Sequence, residues 1–184
     1  MPGRSGFGAV LLVVSLLLLN HPLHAQDSVK VGDRAPDFTL PAATKDTMIT
    51  GGVRLADRIG HNNIIIAFFP AAWSGGCTKE LCTMRDNFDS LSDLGADLLA
   101  ISGDYVFSLR QWATEQHFPF TLLSDHFHTV ATAYQSYNPL SGFNRRTIYL
   151  LDRTGKVVYI DRTYNPGSME SFNKLKAELQ HLKK

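Results

Sequence analysis

Both cysteines of this 184-residue chain lie in one short stretch, Phe68 to Cys82, which reads FFPAAWSGGCTKELC. A thiol becomes a nucleophile when its thiolate is stabilised and a substrate can reach it. The residues beside Cys77 are of types that help on both counts. Gly75 and Gly76 remove side-chain bulk, so backbone donors and substrate can approach the sulfur closely. Ser74, three residues upstream, brings a hydroxyl that can turn toward it. The chemistry on offer is nucleophilic attack by Cys77, either as thiol–disulfide exchange or as a reaction that one thiol begins alone.

Cys82 stands five residues further on. If this segment is helical, five residues rise about 7.5 Å and turn through five steps of about 100°, which puts the two side chains on different faces. A disulfide needs Cα atoms within roughly 7 Å and converging Cβ vectors. A Cys77–Cys82 bond therefore cannot form while the helix is intact. The spacing suits a bond that forms and breaks as the helix opens better than a permanent staple, which would constrain the unfolded chain little across so short a loop. Cys82 as a small buried core residue is the third reading. Metal binding has weak support: His126 and His128 stand two apart in a polar turn, and Cys-x4-Cys is poor zinc spacing.

The elements that must position Cys77 are legible on either side of it. NIIIAFF, Asn63 to Phe69, is a continuous apolar run that fits a strand buried on both faces, and Pro70 ends it. From Thr78 to about Leu94 the apolar residues Leu81, Met84, Phe88, Leu91 and Leu94 recur in steps of three and four, one helical stripe, until Gly95. Cys77 thus falls between a buried strand and a helix N-terminus. Ligands on open α/β sheets bind at such junctions, where free N–H groups and the helix dipole favour an anion, here the thiolate.

Further along, ADLLAIS (Ala96 to Ser102) predicts a second buried strand, FSLRQWATEQH a helix, FPFTLLSD a third extended segment and HTVATAYQSY a short helix. RRTIYLLDRTGKVVYIDR predicts a hairpin turning at Asp152-Arg153-Thr154-Gly155. Ser168 then caps a last helix with the stripe Met169, Phe172, Leu175, Leu179 and Leu182. DFTL, bounded by Pro36 and Pro41, predicts edge or irregular structure. The alternation predicts an α/β layer fold whose parallel strands gain antiparallel edges from the hairpin.

The first 25 residues read as an export signal rather than as fold. Arg4 gives a positive start, Phe7 to Leu19 is an apolar run of 13 residues, and NHPLHA offers cleavage after Ala25. As a helix that run rises about 20 Å, short of a hydrocarbon core of roughly 30 Å. An uncleaved anchor is the other reading, because Leu23 fits the cleavage pattern poorly. Without Arg4 the remainder carries 17 basic and 17 acidic residues, so neither nucleic acid nor an anionic membrane is an expected partner. The expected layout is a signal peptide over 1–25 and one domain over 26–184, exported to the periplasm or secreted.

These residues resemble a known family. WSGGC is similar to the Trp-Cys-x-x-Cys of thioredoxins with serine at the first cysteine, but PAAWSGGC as a whole fits Pro-x-x-x-Thr/Ser-x-x-Cys, the signature of the peroxiredoxins (the AhpC/TSA family). VGDRAPDFTL, CTKELCTMRD, FPFTLLSD and RRTIYLLDRTGKV extend the resemblance over nearly all of 26–184, and CTKELCTMRD resembles the bacterioferritin-comigratory (PrxQ) and one-cysteine bacterial (AhpE-like) subgroups. The resemblance implies a thioredoxin-like fold with a central mixed sheet, flanking helices and an N-terminal extension. It implies a thiol peroxidase that reduces hydrogen peroxide and organic hydroperoxides without a metal or other cofactor. By position, Cys77 resembles the peroxidatic cysteine, Pro70 its shield, Ser74 the hydroxyl that bonds the peroxide, and Cys82 the resolving cysteine of the atypical two-cysteine subgroup. Arg146, six residues before Asp152, resembles the family arginine, with Arg145 the second choice, and Glu80 the glutamate that orients it. Serine at 74 and SGG before the cysteine depart from the commoner Thr-Pro-x. Implied partners are the peroxide and a thioredoxin-like or other thiol reductant, with the protein a monomer or homodimer. The alternative is an envelope thioredoxin-like thiol–disulfide oxidoreductase.

Overall fold

The structure, a computed structural model, describes residues 28–182, so the signal-like segment over 1–25 lies outside the described residues. Three strands form the middle of a seven-stranded sheet: β3 (Asn63–Phe68), β4 (Ala96–Ser102) and β5 (Thr121–Ser124). All six residues of β3 are buried, as its unbroken apolar run requires of a central strand. β3–β4 and β4–β5 pair in parallel. Parallel neighbours need crossovers, supplied by α1 (Gly75–Asp86) with α2 (Phe88–Ser92), and by α3 (Val106–Gln116). The short α4 (Thr129–Ala133) follows β5. On the far side of β3 lies the antiparallel hairpin of β8 (Thr147–Leu151) and β9 (Val157–Asp161), before the closing α5 (Met169–His181).

The other edge departs from expectation. β1 (Thr39–Ala43) and β2 (Met48–Arg54) form an antiparallel hairpin that joins the sheet through β5, giving the order β2-β1-β5-β4-β3-β8-β9. Pro41 therefore sits inside a strand rather than bounding one. It is tolerated because the β1–β2 register shifts between Leu40 and Ala42, so the ladder asks no N–H of it there. Gly52, at φ 77°, lies opposite: a Cβ on it would come 2.3 Å from the Leu40 carbonyl oxygen. A two-residue ribbon, β6 (Tyr137–Asn138) with β7 (Phe143–Asn144), is also new.

The sheet divides two cores. Ile65, Ala67, Leu98 and Ala100 face the layer of α1, α2, α3 and α5, which contributes Leu81, Met84, Leu91, Trp112, Phe172 and Leu179. Ile64, Ile66, Phe68, Leu99 and Ile101 face the N-terminal segment and α4, packing on Phe38, Leu55, Val130 and Tyr134. The alternation of β3 between the cores is the period-two geometry of a strand buried on both sides. Among the described residues, no helix is long and apolar enough to cross a membrane.

Candidate active site

The helix after β3 starts earlier and ends sooner than its apolar stripe suggests. It begins at Gly75, three residues before Thr78, and stops at Asp86; Asn87 separates it from α2. Cys77 is accordingly the third residue of α1 and not part of the loop before it. Ser74 is the N-cap, in extended conformation, and its Oγ accepts the Cys77 N–H at 3.4 Å. The same hydroxyl donates to the Ala71 carbonyl at 3.1 Å, so in this structure its proton is engaged by the backbone. The Cys77 side chain is fully buried.

Arg146 arrives from the segment leading into β8. Strand β8 is antiparallel to β3, and Thr147 pairs with Phe68, so the end of β8 where Arg146 enters lies beside the end of β3 from which the cysteine loop leaves. Its Nη1 donates to Oε2 of Glu80, and its guanidinium faces the Cys77 sulfur. Burial alone would lower the Arg146 pKa, but the Glu80 carboxylate and the Cys77 sulfur outweigh it and hold the guanidinium charged. Gly76 makes the approach possible: a Cβ there would lie 2.8 Å from Arg146 Nη2. Arg145 turns elsewhere and donates to the Tyr137 carbonyl at 2.8 Å.

Glu80, one turn after Cys77, has no exposed surface, and its second oxygen, Oε1, has no hydrogen-bond partner. Burial pushes its pKa up, to about 7, against the pull of Arg146. Cys82 lies on another side of α1, half-buried, with its Sγ 3.6 Å from Gln116 Oε1 at the end of α3. Burial raises its pKa, with Arg85 pulling down and Asp86 pushing up, which keeps it a neutral thiol. Both cysteines are free, and α1 is continuous between them. The structure thus gathers Ser74, Cys77, Glu80 and Arg146 and leaves Cys82 apart. Pro70, half-buried, ends β3 at the head of the same loop.

Two side chains that sequence reasoning passed over also hold this loop. Ala72 N–H donates to Asp104 Oδ2 at 2.7 Å, and the Trp73 indole donates to Ser108 Oγ at 3.0 Å. The available signal was the position of Ser102-Gly103-Asp104 at the C-terminal end of β4, where α/β sheets place their sites. His126 and His128 serve structure instead: His126 Nδ1 bonds the Gly103 carbonyl and His128 Nδ1 bonds Asn144 Oδ1. A groove of about 630 Å³ opens between Phe38, Tyr105, Phe127 and Tyr134, and neither Cys77 nor Arg146 lines it.

Known proteins resemble this chain over most of its length. The model of the AhpC/TSA family matches residues 31–160. Peroxiredoxin Bcp of Escherichia coli (strain K12) is 33% identical over 138 residues, 72% of this chain and 85% of that protein. Alkyl hydroperoxide reductase E of Mycobacterium bovis is 33% identical over 135 residues, with the same two coverages, 72% and 85%. Among solved structures, peroxidoxin BcpB from Mycobacterium tuberculosis superposes with a TM-score of 0.73 at 29% identity, covering 84% of this chain and 98% of its own. The fold is the thioredoxin-like one of these neighbours, and the chain belongs to the AhpC/TSA family of peroxiredoxins, thiol peroxidases of the oxidoreductase class.

Proposed function

We propose that Cys77 is the peroxidatic thiol and that Cys82 resolves it. The observation that carries the first part is the convergence on one buried sulfur of a helix N-terminus and the Arg146 guanidinium. The Cys77 thiolate attacks one oxygen of a hydroperoxide in line with the O–O bond. That bond breaks, the sulfur gains an oxygen, and the leaving oxygen takes up the electron pair. Arg146 and the N–H groups of the first turn of α1 stabilise the charge as it develops, which is the usual source of large rate gains. Ser74, through the cap it makes, and Pro70, at the loop's head, keep the sulfur in place. The leaving oxygen departs, protonated, as water or an alcohol, and Cys77 is left a sulfenic acid.

Resolution requires α1 to open. Cys82 then condenses with the sulfenic acid, one water leaves, and a Cys77–Cys82 disulfide results. A thioredoxin-like or other thiol reductant returns two electrons and two protons to complete the cycle. Exchange chemistry of the thioredoxin kind is not favoured, since residue 74 is serine and the only other thiol is five residues downstream. The leader-like residues 1–25 support export of a 26–184 domain to the periplasm or beyond. N-terminal sequencing of the protein recovered from that compartment should begin at Gln26.

The test of the cysteines is mass spectrometry after one equivalent of hydrogen peroxide. A loss of two hydrogens that links Cys77 to Cys82 is expected, and Cys77→Ser should abolish turnover. A stable sulfenic acid, or glutathionylation of Cys77 alone, would replace this cycle with a one-cysteine one. Thiol loss no faster than in the unfolded chain would remove the assignment of Cys77.

A further inference from the structure

We infer that Asp104 is a positioning residue for the peroxidase reaction, a latch on the loop that presents Cys77. This rests on Cys77 being the reacting thiol. The loop between β3 and α1 is held in an unfavourable shape. Trp73 has φ 65°, a left-handed conformation that a bulky L-residue adopts only when its surroundings impose it. What imposes it is the corner between β4 and α3. Asp104 Oδ2 accepts the Ala72 N–H at 2.7 Å and the Ser102 hydroxyl at 2.9 Å.

Asp104 is itself fixed to the sheet. Its own N–H donates to Ser102 Oγ at 3.3 Å, and its carbonyl accepts the Ser124 hydroxyl at 2.7 Å. The carboxylate is therefore referenced to the ends of two central strands, and through Ala72 it passes that reference to the loop. Two residues later Ser74 caps α1, and Cys77 follows within the first turn. The tether of the Trp73 indole to Ser108 Oγ, with the Trp73–Trp112 ring contact at 6.3 Å, fixes the other side of the strained residue. Arg146 approaches from β8 on its own anchors, so displacement of the loop changes the sulfur–guanidinium geometry. Small displacements of reacting groups cost rate steeply.

Asp104→Ala removes the acceptor for Ala72. Asp104→Asn keeps a carboxamide oxygen in the same place and should restore most of the function. Two rates separate this role from plain destabilisation. Stopped-flow tryptophan fluorescence gives the second-order rate constant for oxidation by hydrogen peroxide. Iodoacetamide gives the alkylation rate of the buried Cys77, read by peptide mass spectrometry.

Asp104→Ala should slow oxidation at least tenfold while speeding alkylation at least threefold; Asp104→Asn should stay within threefold of wild type on both. Ser168→Ala, which removes the cap of α5 and none of the loop's hydrogen bonds, serves as the stability control and should change neither rate. Equal behaviour of Asp104→Ala and Ser168→Ala, or both rates moving in the same direction, would overturn the latch. If wild-type Cys77 oxidised no faster than in the unfolded chain, the peroxidatic assignment would fall. The alkylation rates would still decide whether Asp104 holds the loop.

Discussion

Replacing Gly76 by alanine separates stability from activity within one residue. Gly76 is the second residue of α1 and has no positive φ, so its backbone suits any residue. In a helix, alanine is better than glycine by about 0.8–1 kcal/mol. The only obstacle is Arg146: the new Cβ would sit 2.8 Å from Nη2, where ordinary contact begins at 3.4 Å. The guanidinium is the far end of a flexible chain, and by pivoting about its Nη1–Glu80 pair it can move Nη2 back by ~0.6 Å with that pair kept, at little cost to the fold. Withdrawal takes it off the Cys77 sulfur. A hydrogen bond to a charged group is worth about 1.5–3 kcal/mol, and each 1.36 kcal/mol of transition-state energy is about tenfold in rate. Gly76→Ala should therefore lower the second-order rate constant for peroxide, by stopped-flow fluorescence, about 10- to 100-fold. The melting temperature should hold or rise by about 2–4 °C. An unchanged rate would show that Arg146 does not act from the place where it touches Gly76, and the electrostatic account of the site would fail.

Glu80→Gln tests the buried carboxyl. Burial raises its pKa from 4.5 to about 7 in the folded chain, against Arg146. Because the folded value is the higher one, this group's contribution to stability is full below pH 4.5 and is lost as pH rises through 7. Relative to Glu80→Gln, the wild type should lose about 3 kcal/mol across that window in urea titrations, and a flat difference would refute the shift. Cys82→Ser keeps a donor for Gln116 and should melt within about 2 °C of wild type, but peroxide should leave a sulfenic acid on Cys77 that dimedone traps. An untrappable product would mean that another group resolves it. Ser168→Ala loses the acceptor of the Glu170 N–H and should cost about 1 kcal/mol, seen as a melting point lower by about 2–4 °C.

How much of this was legible beforehand depended on whether the determining contacts were local. β3 and β4 announced themselves, because strands buried on both faces read as unbroken apolar runs. The start of α1 did not, because Gly75 and Gly76 are poor helix formers and look like loop; Ser74 makes them helical by capping. The β1–β2 hairpin was hidden by Pro41, Gly51 and Gly52, all strand breakers by type, yet each fits a bulge or a positive φ there. β6 and β7 are too short to show a period. In the site, Ser74, Cys77 and Arg146 could be named from a motif and a count back from Asp152. Counting ranked Arg146 above Arg145, and tertiary placement sends Arg145 to Tyr137 and Arg146 to Glu80. Asp104 carried only the general signal of its place at the C-terminal end of β4, because it meets Ala72 from 32 residues away.

The helix that prepares Cys77 is also the obstacle to Cys82. Between them lie Glu80 and Leu81, both without exposed surface, one paired with Arg146 and the other in the core beneath the sheet. Opening the first turn and a half withdraws both. Exposing a leucine side chain costs about 1.5–3 kcal/mol, and the Arg146–Glu80 pair is broken at the same moment. Two features lower the cost: Gly75 and Gly76 weaken the helix where unwinding starts, and Cys82 is only partly buried at the margin of the core, with one long hydrogen bond, to Gln116. Arg146 in place beside Cys77 and Cys82 within bonding reach are thus mutually exclusive arrangements of one segment. On the proposed cycle, bonding the two thiols would both consume the Cys77 thiolate and take Arg146 off it, so a reductant must free the thiol and let the helix close before a second peroxide is attacked.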